Sequence, residues 1–152
     1  NGDYMPLDID QINFDVDPLP YANESIDIVI SLAVIEHINN IDHFLTEIRR
    51  VLKSGGIVYL TTPNFKYCYK TFYNDPTHVR PFTEVSLLKL IEIYSFRKSF
   101  IYPALRCKPG FMYKRKRAFF KAAWIPFVKK PFINCPEIFY GRATSLVLIA
   151  AK

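Results

Sequence analysis

The sequence predicts an α/β fold built on a mostly parallel sheet, on three observations. Residues 26–30 read Ile-Asp-Ile-Val-Ile, a β-branched run suited to a strand buried on both faces. Residues 41–52 place Ile41, Phe44, Leu45, Ile48, Val51 and Leu52 at helical spacing, giving one apolar face. Residues 57–60 read Ile-Val-Tyr-Leu, a second buried strand. Two buried strands joined by an amphipathic helix form a βαβ unit, so the pair is parallel and the crossover right-handed.

The remaining elements follow in order. Residues 4–9 suit a short strand that ends near Asp8, and residues 11–16 suit another. Pro18 and Pro20 stiffen a loop whose Leu19 and Tyr21 plug the sheet edge. Asn40 caps the helix, Asp42 sits in its first turn, and Arg49, Arg50 and Lys53 lie near its end, where Gly55 or Gly56 stops it. Pro63-Asn64 ends the second buried strand. Residues 65–82 then form a long aromatic loop at a strand's carboxyl end, where long loops are usually functional or mobile. Thr83 caps a helix to about Tyr94, with Val85, Leu87, Leu88, Leu90 and Ile91 mostly inward. Strands follow over residues 97–102 and 145–151.

The chain has 152 residues, 50% hydrophobic and 22% charged, values ordinary for one globular domain. No signal peptide is visible, and no apolar run approaches the roughly 18 residues that a membrane-spanning helix needs. Cys68, Cys107 and Cys135 are scattered, without a C-x-x-C pair. That argues against a disulfide framework or a zinc-thiolate site and fits a cytoplasmic protein. The net charge of +6 is uneven, because no acid falls between Glu92 and Glu137. In residues 103–140 basic residues alternate with Phe, Tyr and Trp. Three readings stand for this insert: a lid over the active site, a membrane-surface helix at the inner face of the membrane, and a nucleic-acid contact. Pro126 and Pro131, which break the segment, and the lack of an RNA-binding motif weigh against the last.

Residues 13–64 hold D-x-x-x-L-P-Y, then S-I-D-I-V-I-S, then E-H, then a helix closing on R-V-L-K-S-G-G and a strand ending in T-P-N. This ordered set resembles the class I S-adenosylmethionine-dependent methyltransferases, in particular those that alkylate small molecules, lipids and sugars. The resemblance implies a Rossmann-like three-layer αβα fold whose last strand is antiparallel, and S-adenosylmethionine as cofactor. It implies Asp8 as the acid for the cofactor ribose, with Asp10 in reserve; a plain solvated turn acid is the other reading. It implies that Asp15 takes the adenine amino group and that the Val16 N–H meets a ring nitrogen. Ser31, Leu32 and Ala33 are placed at the cofactor, because ligands of open parallel sheets bind beyond the strands' carboxyl ends.

For catalysis, His37 is a candidate to take a proton from an acceptor hydroxyl, since histidine ordinarily titrates near neutrality. Glu36 and His37 also read as a purely structural pair. Some quinone-type relatives bind a divalent ion through E-x-x-E-H; Ala33 fills the first position here, so no metal is expected. D-x-x-H-x-R-x-F-T, from Asp75 to Thr83, resembles a D-x-T-H stretch of relatives in cell-surface polysaccharide and lipid biosynthesis. In one reading Asp75, His78 and Arg80 meet a polar or anionic substrate. In the other, Asp75 and Arg80 pair and pin the loop. Ser95-Phe96 departs from the family's Gly-Phe.

The family's first strand and its G-x-G loop do not appear in the sequence. The expectation is therefore a partial domain over residues 1–152, the C-terminal portion of a methyltransferase whose opening βα unit lies upstream. Residues 26–31 should lie beside 57–60, with the edge toward the missing strand open. Such a chain alone should be unstable and bind S-adenosylmethionine weakly. The alternatives are a non-catalytic Rossmann-like binding or membrane-tethering module and a nicotinamide-dependent oxidoreductase.

Overall fold

The structure, a computed structural model, describes residues 3–8, 10–103 and 144–152. All of the insert over residues 103–140 except Pro103, and with it Cys107 and Cys135, lies outside the described residues. Four strands form one sheet: β1 (Ile26–Leu32), β2 (Leu52–Pro63), β3 (Arg97–Pro103) and β4 (Ser145–Ala151). Their order is β1-β2-β4-β3. β1 and β2 are parallel, and β4 runs antiparallel to both β2 and β3. Ile28 pairs with Ile57 and Ser31 with Leu60, the expected neighbours, and β1 is the terminal strand.

Helices α1 (Ile41–Val51) and α3 (Glu84–Ile93) cover one sheet face. Leu45, Ile48, Leu87 and Ile91 join Val58, Leu60, Leu146 and Leu148 in a single core. The opposite face follows from the two-residue strand period. It carries Ile28, Ile30, Leu32 and Phe100, each more than half exposed. The described residues thus supply a sheet and one helical layer.

The capping predictions hold at both helices. Asn40 accepts from the His43 N–H at the start of α1, and Thr83 forms a capping box with Ser86 at α3. Asn64 ends β2 and caps a single-turn helix, α2 (Phe65–Cys68). Beyond α3 the chain turns in a Schellman motif. The Ser95 N–H donates to the Glu92 carbonyl at 2.9 Å, and the Phe96 N–H to Ile91 at 3.2 Å. Ser95 sits at φ +60°, where a side chain is strained. Ser95→Gly is expected to stabilise the protein by about 1 kcal/mol. An unchanged urea midpoint would contradict that.

Three sequence expectations are corrected. Residues 4–8 and 11–16 are turns and coil, not strands, and Ile9 lies outside the described residues. The Asp8 carbonyl accepts from the Gln11 N–H, and the Asn13 carbonyl accepts from Val16 and Asp17. A strand exists only by pairing, and among the described residues β1 pairs with β2 alone, so neither segment has joined its open edge. Gly55 and Gly56 do not stop α1, which ends at Val51 and passes straight into β2. They shape an irregularity in β2 instead, where residues 53–56 stand opposite Asp27 alone. Gly55 takes φ +79°, and a Cβ on Gly56 would meet the Lys53 carbonyl at 2.9 Å.

The segment before β1 is held by side chains. Arg50 on α1 donates to the carbonyls of Leu19 and Tyr21, to Asn23 and to Glu47. Glu47 in turn accepts from the Leu19 N–H at 2.7 Å. Leu19 is buried as a result, and Tyr21 packs against the core.

Candidate functional site

The carboxyl ends of β1 and β2 lie side by side, and the segments leaving them meet. After β1 the chain turns sharply at Ala33, a non-glycine residue at φ +53°. The Ala33 N–H donates to the carbonyl and hydroxyl of Thr61 on β2. A 3-10 turn over Ile35–His37 then sends Glu36 inward and leaves His37 half-buried. The Glu36 carboxylate is fully buried and accepts from the Thr62 hydroxyl at 3.0 Å. Its backbone carbonyl accepts from Val79 at 2.9 Å and Arg80 at 3.0 Å, which ties the long loop after β2 to the turn after β1.

That tie brings together two candidate histidines 41 positions apart in the sequence. The rings of His37 and His78 have centroids 4.8 Å apart. His78 Nδ1 lies 2.7 Å from the Phe72 carbonyl. A carbonyl only accepts, so Nδ1 carries the proton and Nε2 keeps a lone pair. His37 Nδ1 lies 3.2 Å from the Thr77 carbonyl and 2.8 Å from its hydroxyl. The Thr77 hydroxyl donates to Asp75 at 2.5 Å, so it accepts from His37, which again puts the proton on Nδ1. Asp75, Thr77 and His37 form a hydrogen-bonded chain, and Asp75 also stands 3.9 Å from His78 Nε2. The Thr77 hydroxyl, then its N–H, hold the Asp75 carboxyl below its usual range. Phe72 packs against the His78 ring, with centroids 4.5 Å apart.

Of the two readings of the loop, the structure turns Asp75 toward Thr77 and His78. Arg80 instead donates to the Asn39 carbonyl at 3.2 Å. Sequence reasoning named His37 and His78 but passed over Thr77, Thr62 and Phe72. The D-x-T-H pattern already pointed to Thr77, between Asp75 and His78. Thr62 enters the sequence pattern only as the first residue of T-P-N, and it reaches Glu36 only through the pairing of β1 with β2.

The residues assigned to the cofactor spread along the same rim. Asp15 Oδ1 accepts from the N–H groups of Asn39 at 2.9 Å and Asn40 at 2.8 Å, and Oδ2 from the Asn39 side chain at 3.1 Å. Burial alone would raise its carboxyl, but the bonds from Asn40 and Asn39 outweigh it and hold the group below its ordinary value. The Val16 N–H, expected to face a ring nitrogen, donates instead to the Asn13 carbonyl at 3.1 Å. The Ser31 hydroxyl is buried with no hydrogen-bond partner, while Leu32 and Ala33 are exposed. Asp8 stands on an exposed turn.

Among the described residues no helix is long and apolar enough to cross a membrane. Residues 2–60 match the family model described as a methyltransferase domain. A probable S-adenosylmethionine-dependent methyltransferase of Mycolicibacterium smegmatis is 36% identical over 96 residues, 61% of this chain and 36% of that protein. The ubiquinone biosynthesis O-methyltransferase of Brucella ovis is 33% identical over 58 residues, 38% of this chain and 23% of that protein. The matches therefore span about a third or less of these relatives' length. Among solved structures, a methyltransferase from Mesorhizobium loti superposes with TM-score 0.61 at 13% identity, covering 93% of this chain and 67% of that one. One from Archaeoglobus fulgidus gives 0.60 at 17% identity, covering 87% and 62%. The sheet order, the domain matched over residues 2–60 and these relatives agree in one respect: the chain is similar to S-adenosylmethionine-dependent methyltransferases and shares their fold.

Proposed function

We propose that this chain transfers a methyl group from S-adenosylmethionine to a hydroxyl of a small-molecule acceptor, with His37 and His78 receiving the proton. The observation that supports it most is the histidine pair. Both rings are backed at Nδ1, and both leave an Nε2 lone pair at the rim where ligands of such sheets bind. When bound, the cofactor supplies a methyl carbon made electrophilic by its sulfonium. The chain's own work is to position the acceptor oxygen and to take its proton at Nε2.

Two observations fit the cofactor's presence at this rim. Three of the roughly four acceptor positions of the Asp15 carboxylate are filled by Asn39 and Asn40, which leaves about one for an incoming donor such as the adenine amino group. The buried Ser31 hydroxyl lacks a partner. Asp8 would meet the ribose, and Leu32 and Ala33 would line the cofactor's methyl-bearing side. The acceptor class within this reading is a sugar, a lipid or a quinone-type phenol.

Calorimetry with S-adenosylmethionine, with NADH as control, tests the cofactor. Asp15→Ala is expected to weaken binding by about 1–3 kcal/mol, the cost of an unpaired buried donor. Binding of NADH alone would favour the oxidoreductase reading. Binding of neither would favour a non-catalytic module. Turnover of labelled cofactor with a panel of sugar, lipid and phenol acceptors then sorts the acceptor.

A further inference from the structure

The carboxylate of Glu36 is an unusual guest in this core. It is 1% exposed, and the hydrogen bond to it from a described side chain comes from the neutral hydroxyl of Thr62. A buried charge is costly unless an opposite charge accompanies it. One ligand atom each from Glu36, His37 and His78 lies within 4.8 Å of the others.

We propose that Glu36, His37 and His78 bind a divalent cation of the zinc type. The chemistry of the donors selects the ion. Two imidazole nitrogens and one carboxylate oxygen suit zinc or a similar borderline ion, whereas magnesium and calcium prefer oxygen ligands throughout. Three protein ligands with a fourth position open is also the arrangement of catalytic zinc. Ligand bonds of about 2.0–2.1 Å put neighbouring donors roughly 3.4 Å apart, so donors that lie within 4.8 Å need to close by up to about 1.4 Å. His37 and His78 are both half-buried, on the turn and the loop that the Glu36 carbonyl joins.

An independent feature supports the site: every ligand already has an outer partner. His78 Nδ1 donates to the Phe72 carbonyl, and His37 Nδ1 to Thr77. Thr62 donates to Glu36 Oε2, which leaves Oε1 for the ion. Such partners fix the imidazole tautomer that exposes Nε2 and orient the carboxylate. Asp75, 3.9 Å from His78 Nε2, adds negative charge beside the ion. Ala33, at the position where E-x-x-E-H would place an acid, takes no part; His78 completes the set from the loop after β2. With an ion bound, Nε2 of both rings is occupied and takes no proton; the ion would instead lower the pKa of a hydroxyl held at the open position, so the metal-loaded site is an alternative to proton transfer to the rings. The binding claim itself stands without that reaction.

The test is metal binding to the whole chain, so a failed methyl transfer leaves it readable. Chelator-treated protein is titrated with Zn²⁺ by calorimetry and with Co²⁺ by visible spectroscopy. One ion per chain is expected, with cobalt d–d bands and no thiolate charge-transfer band. Glu36→Gln, His37→Ala and His78→Ala should each weaken binding by more than about tenfold, and Thr77→Val by about tenfold. His43→Ala, elsewhere on α1, should bind as the parent does. Circular dichroism establishes that each variant folds. Absence of binding, a thiolate band, or affinity unmoved in the folded Glu36→Gln and His78→Ala variants would overturn the site.

Discussion

Arg50→Ala is expected to lower the unfolding free energy by about 2–4 kcal/mol, a large loss for a single residue. The guanidinium gives Nε and Nη2 to Glu47, Nη1 to the Tyr21 carbonyl and Asn23, and a further Nη2 bond to the Leu19 carbonyl. Its side chain is 28% exposed and that of Glu47 12%, so truncation leaves a largely buried carboxylate and two carbonyls without their cation. Arg50→Lys should recover only part of the loss, because an ammonium cannot make the planar fork. The Arg50 bond, reinforced by the Leu19 N–H, holds the Glu47 carboxyl below its usual value despite burial. A lowered carboxylate pKa stabilises the fold above the ordinary value of 4.5, and the contribution fades as pH falls through the lower folded value. Urea titrations at neutral and acidic pH check both points. The difference between parent and Arg50→Ala should shrink in acid. A constant gap, or full rescue by lysine, would break the account.

On the proposed function, His37→Ala and His78→Ala are each expected to reduce methyl transfer to a hydroxyl acceptor by about 10²–10⁴-fold, the usual range for a positioned acid–base group. If the two rings act as a unit, the double variant should be little worse than either single one. Thr77→Val should fall between these variants and the parent. It keeps the carbonyl behind His37 Nδ1 but removes the hydroxyl that links His37 to Asp75. S-adenosylmethionine affinity should stay near parental in all four, since none belongs to the cofactor set. Single-turnover rates with saturating cofactor measure the effect. Multiplicative losses in the double variant, or normal rates in either single one, would show that the rings do not share the proton transfer.

The parts of this fold that were legible in the sequence are those specified locally. The α1 face, the Asn40 and Thr83 caps and the Pro63-Asn64 stop depend on residues within a turn of one another. The parallel β1–β2 pair followed from the helix between two buried runs. The failures lie where a residue's state depends on distant partners. Residues 4–9 and 11–16 have strand-like composition, but composition cannot supply a neighbouring strand. Gly55 and Gly56 look like a helix stop, yet they serve the offset between β1 and β2. His37 and His78 were nameable by residue type, but their contact required the loop to fold back onto Glu36. Arg50 looked like a helix-end charge and proved to be the anchor of the Leu19–Asn23 loop.

The double acceptance by the Glu36 carbonyl has a consequence for hydrogen exchange. The amides of Val79 and Arg80 share one oxygen, so neither is released unless the turn and the loop part company. Their exchange should follow a single opening event, with similar protection and the same response to urea. That event would also separate His78 from His37. The exchange rate of two amides thus reports how often the histidine pair ceases to exist as a pair, without any substrate present.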